Sequence, residues 1–189
     1  MDLPKLSNTP NRHPDFCLSI STKVIHTLTA VLTTNGPDKQ NNLILSIGSG
    51  SGLLEAHLLD HLSSLTNLNS TFTIRGVEVR SSPSAGPVNK YLPEDNAVTV
   101  RGTWELSSSL DSVDTLLFVY PRDPKLVSRY LEARPVSLRV VVWLGPRADW
   151  EVFGSCFEGL DGFGCVDVIE GEDAGVAGFE MMAILRRMH

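Results

Sequence analysis

The sequence predicts a doubly wound α/β fold, with a mostly parallel seven-stranded sheet, an antiparallel C-terminal strand pair and helices on both faces. Three observations carry this expectation. Short apolar runs alternate with stretches of helical period along most of the chain. A glycine turn, Gly48-Ser49-Gly50-Ser51-Gly52, separates an early apolar run from the helical stretch after it. The last two strand-like runs follow one another with no helical stretch between them, so they are expected to pair antiparallel at one edge.

Each element follows from local pattern. Residues 1–16 are rich in Pro, Asn and Ser and show no period, so they read as an arm that either stays loose or lies across a site. Residues 17–189 then form a single domain, the size expected for a chain of 189 residues. Ile20, Val24, Ile25, Leu28, Val31 and Leu32 approach helical spacing over 19–33, and the Asn35-Gly36-Pro37-Asp38 turn ends them. Residues 42–47 read as a strand and 53–65 as a helix carrying Leu54, Leu58, Leu62 and Leu65. Further strands are expected at 71–79, 98–101, 115–120 and 138–144, with helices at 125–132 and 148–160. The closing pair spans 165–170 and 180–186.

Composition narrows the function classes. Hydrophobic residues make up 42% and charged residues 20%, the profile of a globular protein with a full core. Apolar runs fall far short of the roughly 20 residues that span a bilayer. The formal charge of −6 removes the broad attraction to a phosphate backbone, so no nucleic-acid partner and no membrane partner are expected. Cys17, Cys156 and Cys165 contain no CxxC pair and are too few for a disulfide framework, so buried, reduced thiols are expected. An acidic second residue and three early prolines show no secretory signal, which points to the cytoplasm.

The glycine turn lies between a strand and a helix, where backbone amides and the positive end of the helix face a ligand. Glycines let a ligand approach the backbone closely and supply positive φ. Their spacing separates cofactors. A dinucleotide fingerprint, GxGxxG, needs glycine at 53, where the chain has Leu53, and a GxxxxGK[ST] phosphate loop is absent.

The run Leu43-Ile44-Leu45-Ser46-Ile47-Gly48-Ser49-Gly50-Ser51-Gly52 resembles the first motif of class I S-adenosylmethionine-dependent methyltransferases, which ends in GxGxG. Gly76-Val77-Glu78-Val79 is similar to the end of that family's second strand, where an acidic residue accepts hydrogen bonds from the ribose hydroxyls. The resemblance covers about residues 19–187 and implies a Rossmann-like methyltransferase domain, a transferase, with S-adenosyl-L-methionine as cofactor. It implies cofactor contacts at Ser46, Gly48, Ser49, Gly50, Gly52 and Glu78, and adenine contacts from Thr103 and Trp104, with core packing as the other reading of Trp104. Two departures stand out. The family places an acid two residues before the first glycine, where it meets the methionine amino group, and this chain has Ser46 there. Glu78 also lies 26 positions beyond Gly52, an unusually long interval that contains the apparent insertion 67–70.

The resemblance places the acceptor after the fourth strand, at Phe118-Val119-Tyr120-Pro121-Arg122-Asp123-Pro124. Asp123 is the candidate general base and Tyr120 the candidate orienting group, against a reading in which Pro121 and Pro124 simply stiffen a loop. Trp143 borders the substrate or is interior. His57 and His61 stand four apart on a helix but offer no third ligand, so no metal is expected. Residues 1–16, 81–94 and the Tyr120 loop are the segments available to enclose an acceptor. That acceptor is a small molecule or a protein, and the pocket is either shallow or completed by a second copy of the chain or a partner subunit. The alternative is a catalytically inactive methyltransferase-like binding or assembly module, favoured by Ser46 and the weak Tyr120 motif.

Overall fold

Alternation of side chains across the central strands decides where the helices go. The computed structural model describes residues 3–34, 41–65, 70–79 and 89–188. The turn at 35–38, most of the 67–70 insertion and residues 81–88 of the 81–94 stretch lie outside them.

A two-stranded hairpin, β1 (Asn11–His13) and β2 (Phe16–Ile20), leads into α1 (Thr22–Thr33). Then come β3 (Asn41–Ile47), α2 (Leu53–Ser64), β4 (Thr71–Val79), β5 (Ala97–Val100), β6 (Thr115–Val119) and α3 (Pro124–Glu132). The chain continues through β7 (Val140–Pro146), α4 (Arg147–Phe153), β8 (Asp167–Glu170), α5 (Gly171–Ala174) and β9 (Glu180–Arg186). The main sheet has seven strands in the order β5-β4-β3-β6-β7-β9-β8, parallel except for the pairings of β9. Among the described residues, no helix is long and apolar enough to cross a membrane.

Ile44, Ile74, Leu117 and Val142 pack with Val24, Leu28, Leu54 and Leu58, so α1 and α2 cover one face. Leu45, Val77, Leu116, Phe118 and Val141 point the other way and pack with Val127, Tyr130 and Phe153 of α3 and α4. Burial on both faces explains why β6 and β7 are nearly continuous apolar runs.

Several elements differ from the sequence expectation, each for a local reason. The first helix begins at Thr22 rather than residue 19, because Phe16, Leu18 and Ile20 alternate along β2 and Ser21 caps the helix by accepting from the Val24 N–H. The stretch at 148–160 is α-helical only through Phe153, where Gly154 and Ser155 lower helix propensity and a 3₁₀ turn takes over to Phe157. A single helical turn, α5, stands between β8 and β9 where none is expected. Gly175 closes it at φ 82, and a Cβ there would come within 2.3 Å of the Val24 nitrogen, so only glycine lets α5 dock on the start of α1. The thiols are free but not buried: Cys17 and Cys165 are exposed, and Cys156 is half-buried.

Candidate functional site

The order reversal at β3, with β4 on one side and β6 on the other, opens a crevice at the carboxyl ends of these strands. The glycine turn forms its floor. Gly48, Gly50 and Gly52 have φ of 76°, 56° and 76°, a backbone region costly for other residues. A Cβ added at Gly48 or Gly50 would meet no atom within 4 Å, so the turn faces open space. The Gly48 and Ser49 N–H groups both donate to the Val77 carbonyl, at 2.9 and 3.3 Å, which ties the turn to β4.

Glu78 reaches the turn from β4. Its Oε1 accepts from the Gly50 N–H at 3.1 Å and its Oε2 from the Val79 N–H at 3.1 Å. Asn89 secures the other side by donating to Ser49 Oγ at 2.7 Å and to the Gly50 carbonyl at 3.0 Å. The Tyr91 N–H donates to the Ser51 carbonyl, and the Lys90 and Tyr91 side chains both hold Asp15 of the N-terminal hairpin. Asp15 is kept below its usual range by these two partners. Residues 15–17 thus lie over the turn.

A cavity of about 380 Å³ fills the crevice, walled by Asp15, Phe16 and Cys17, by Gly48, Ser49, Gly50 and Glu78, and by Thr103, Tyr120, Pro121, Arg122 and Asp123. A narrow apolar cleft of about 40 Å³ adjoins it at Gly48, Glu78, Val79, Thr103 and Leu126, and also touches Val77, Val100 and Tyr130. A second groove of about 390 Å³ shares Cys17, Tyr120, Pro121 and Arg122 and runs toward Asp149, Val152 and Phe153.

Most of the expected residues gather at this cavity, but not all. Trp104 does not line it: the residue is 68% exposed and its six-membered ring lies against Gly102, where a Cβ would come within 2.2 Å of it. It is therefore not core either. Ser46 is fully buried and its hydroxyl donates to Glu55 Oε1 at 2.5 Å. Gly52 is the left-handed cap residue of α2, packed against Leu92. Trp143 is interior, with its Nε1 lacking a partner.

Tyr120 and Asp123 line the cavity with their polar groups already engaged. Asp123 caps α3, its Oδ1 accepting from the Lys125 N–H at 2.9 Å. Tyr120 has the one positive φ among described non-glycine residues, 49°. Continued strand alternation would send its ring to the α3 face. The left-handed backbone instead packs it with Val119 against the α1–α2 face, where its hydroxyl donates to Glu180 Oε1 at 2.5 Å. Glu180 is fully buried and also accepts from the Ser19 N–H and hydroxyl and from the Ala177 N–H. Burial and this carboxylate push the phenol far above its ordinary range. Tyr120 is thus no proton acceptor here.

Glu55, Asn89 and Glu180 escape sequence reasoning, since each is polar, buried and bonded to residues elsewhere in the chain, with Glu55 Oε2 left without a partner. The one local signal is Glu55 amid the apolar residues Leu53, Leu54, Ala56 and Leu58. Among the described residues, His57 and His61 belong to no group of three or more His, Cys, Asp or Glu side chains. His61 packs against the His26 ring at 4.9 Å, and His57 Nε2 is buried without a partner, so this face is not simply solvated.

No protein-family model and no curated protein sequence matches the chain. Solved structures match it in fold. A Listeria monocytogenes protein assigned to the class I S-adenosylmethionine-dependent methyltransferases gives a TM-score of 0.62 at 12% identity, over 88% of this chain and 60% of that one. The plantazolicin methyltransferase BpumL, solved with a substrate analogue and S-adenosylhomocysteine, gives 0.57 at 12% identity, over 89% and 86%. A Streptococcus pneumoniae protein assigned to tRNA methylation, solved with S-adenosyl-L-methionine, gives 0.51 at 14% identity, over 89% and 73%. At such identities the likeness is one of architecture. The chain has the fold of the class I methyltransferases.

Proposed function

We propose that this chain binds S-adenosylmethionine across the Gly48–Gly52 turn and transfers its methyl group to an acceptor entering beside Tyr120. The observation that carries this reading is the open space over Gly48 and Gly50, a cradle that any Cβ would begin to fill, with the Glu78 carboxylate beside it. The cavity of about 380 Å³ has the size of a nucleotide-like ligand site. Its small apolar side cleft, between Val77, Val100 and Leu126, offers an apolar wall to one edge of a purine whose bulk would lie in the main cavity. The residues present therefore fit the cofactor.

When bound, the cofactor supplies a methyl group already activated by a sulfonium charge. The chain's part is alignment and exclusion of water. Turn amides and Glu78 hold the nucleoside end, with Glu78 accepting from ribose hydroxyls on lone pairs left free by Gly50 and Val79. Residues 15–17 line the cavity, and Tyr120 and Pro121 line both it and the adjoining groove, which is the acceptor's approach. Asp123 is the candidate base, provided the oxygen not used by the helix cap reaches the acceptor.

The acceptor class is open. The net charge of −6 speaks against nucleic acid, yet a neighbour of the same fold is assigned to tRNA methylation, so charge alone excludes nothing. Small molecules, proteins and nucleic acids all remain to be tried. One observation favours the rival reading of a non-catalytic module: both polar groups expected to do chemistry, Tyr120 and Asp123, already serve the fold.

Calorimetric titration with S-adenosylmethionine, S-adenosylhomocysteine and NAD tests the first step. The two adenosyl ligands should bind and NAD should not. Glu78→Ala should weaken them by about 1–3 kcal/mol and Gly50→Val should abolish binding. Transfer of labelled methyl groups into small-molecule, protein and RNA fractions then separates enzyme from module. Binding without labelling supports the module.

A further inference from the structure

Arg122 lines both the cavity and the adjoining groove, and unlike the arginines near it, it has nothing to hold. The Arg129 guanidinium on α3 donates to the Thr103 carbonyl at 2.9 Å, and Arg147 at the start of α4 pairs with Glu170 at 3.1 Å. Arg122 is exposed and takes part in no hydrogen bond, ion pair or ring contact among the described residues. Its neighbour Asp123 is occupied by the α3 cap. A loop stiffened by Pro121 and Pro124 thus presents an uncommitted guanidinium where the two spaces meet.

The groove determines what can accompany that charge. Pro121, Pro124, Val152 and Phe153 give it apolar walls, and the Tyr120 hydroxyl is already donated to Glu180. Such a surface takes an apolar body. No residue of the glycine turn lines the groove, so a group seated there lies beyond the nucleoside. The other charged residue of the groove is Asp149, in the first turn of α4, and Asp15, Glu78 and Asp123 line the cavity. One negative charge on a ligand is answered by Arg122, whereas a second one along either space meets carboxylates. The planar guanidinium offers parallel N–H donors that match the two oxygens of a single carboxylate.

We propose that the methyl acceptor is a small monocarboxylic acid with an apolar body, its carboxylate held by Arg122 and its body lying on the groove wall. This assignment rests on the reading above, in which an adenosyl cofactor fills the cavity and the acceptor enters by the groove. Arg122 is a specificity-determining residue, and the same arrangement of acids selects against polyanions.

The test begins with S-adenosylhomocysteine alone, titrated calorimetrically into the full chain. If it does not bind, the cofactor reading has failed and the acceptor assignment falls with it. The chain saturated with it is then titrated with 3-phenylpropionate, its uncharged amide 3-phenylpropionamide, and the dicarboxylate 1,4-phenylenedipropionate. The monocarboxylate should bind about fivefold or more tighter than the amide, the scale of one exposed ion pair. The dicarboxylate should bind more weakly than the monocarboxylate, and Asp149→Asn should remove most of that difference. Arg122→Gln should erase the preference for carboxylate over amide. Equal binding of acid and amide, binding of neither, or a preference that survives Arg122→Gln would overturn the acceptor class while the cofactor reading stands. A dicarboxylate as tight as the monocarboxylate would overturn the limit to one charge. If 3-phenylpropionate binds the ligand-free chain and S-adenosylhomocysteine displaces it, Arg122 serves the cofactor's own carboxylate and the assignment is wrong.

Discussion

The Tyr120 hydroxyl donates to Glu180 across 60 positions of sequence, and it does so because Tyr120 leaves its strand in the left-handed backbone region. One carboxylate thereby joins β2, the segment after β6, and the start of β9. Strain of this kind persists only where the surroundings overdetermine it. Here it fixes a residue that lines both the cavity and the groove.

Tyr120→Phe removes one donor from a buried carboxylate and should lower stability by about 1.5–3 kcal/mol in urea unfolding. Cofactor affinity should change far less than stability. A loss below about 0.5 kcal/mol, the scatter of neutral surface changes, would mean that Glu180 is satisfied without the phenol.

Glu55 makes stability depend on pH in an unusual direction. Burial raises its pKa from 4.5 to about 7, against the opposing bond from Ser46. Between those values the folded chain holds a proton that the unfolded chain has released, so stability falls as pH rises and levels off above about 7. The total contribution is on the order of 3 kcal/mol. Unfolding followed at pH 5 and pH 8 should show this slope, and Glu55→Gln should flatten it.

Asp123 allows its two roles to be told apart. Asp123→Asn keeps a side-chain oxygen for the Lys125 amide, whereas Asp123→Ala loses it and should cost about 1 kcal/mol of stability. Once an acceptor is found, a base would show as an Asn variant of full stability and much reduced rate. An unchanged rate would leave Asp123 as a cap alone, with alignment carrying the reaction.

Gly76 bears on binding although it lines neither the main cavity nor its side cleft. A Cβ there would lie 2.6 Å from Ser49 Oγ and 2.7 Å from Leu92, and Ser49 is pinned by Asn89. Gly76→Ala should therefore displace the turn, costing about 1–3 kcal/mol of stability and weakening adenosyl ligands as well. Binding unchanged in calorimetry would show that Leu92 and Ser49 yield without moving the amides.

The succession of strands along the chain, the antiparallel ending and the two helical layers were legible because burial on both faces writes itself as apolar runs. β6 and β7 are the clearest examples. The start of α1 was less so, since Leu18, Ile20 and Val24 fit either period until the Ser21 cap is seen. The glycine turn announces itself by composition. Glu55, Asn89 and Glu180 do not, because what makes each of them matter is a partner 9, 40 or 161 positions away. Trp104 shows the reverse error, an aromatic whose size suggests burial but which stays exposed while covering the buried Gly102.

The place of β9 between β7 and β8 sets the order in which the sheet can be assembled. β8 emerges from the ribosome ahead of β9, its partner strand, so it must wait unpaired, which its four residues, mostly exposed even in the finished sheet, permit. β7 is in the opposite position. Its Val140-Val141-Val142-Trp143-Leu144 run presents an open, wholly apolar edge until residues 180–186 arrive. A nascent or truncated chain halted before Glu180 therefore exposes its most aggregation-prone segment, and its fate depends on how quickly β9 or a chaperone covers that edge.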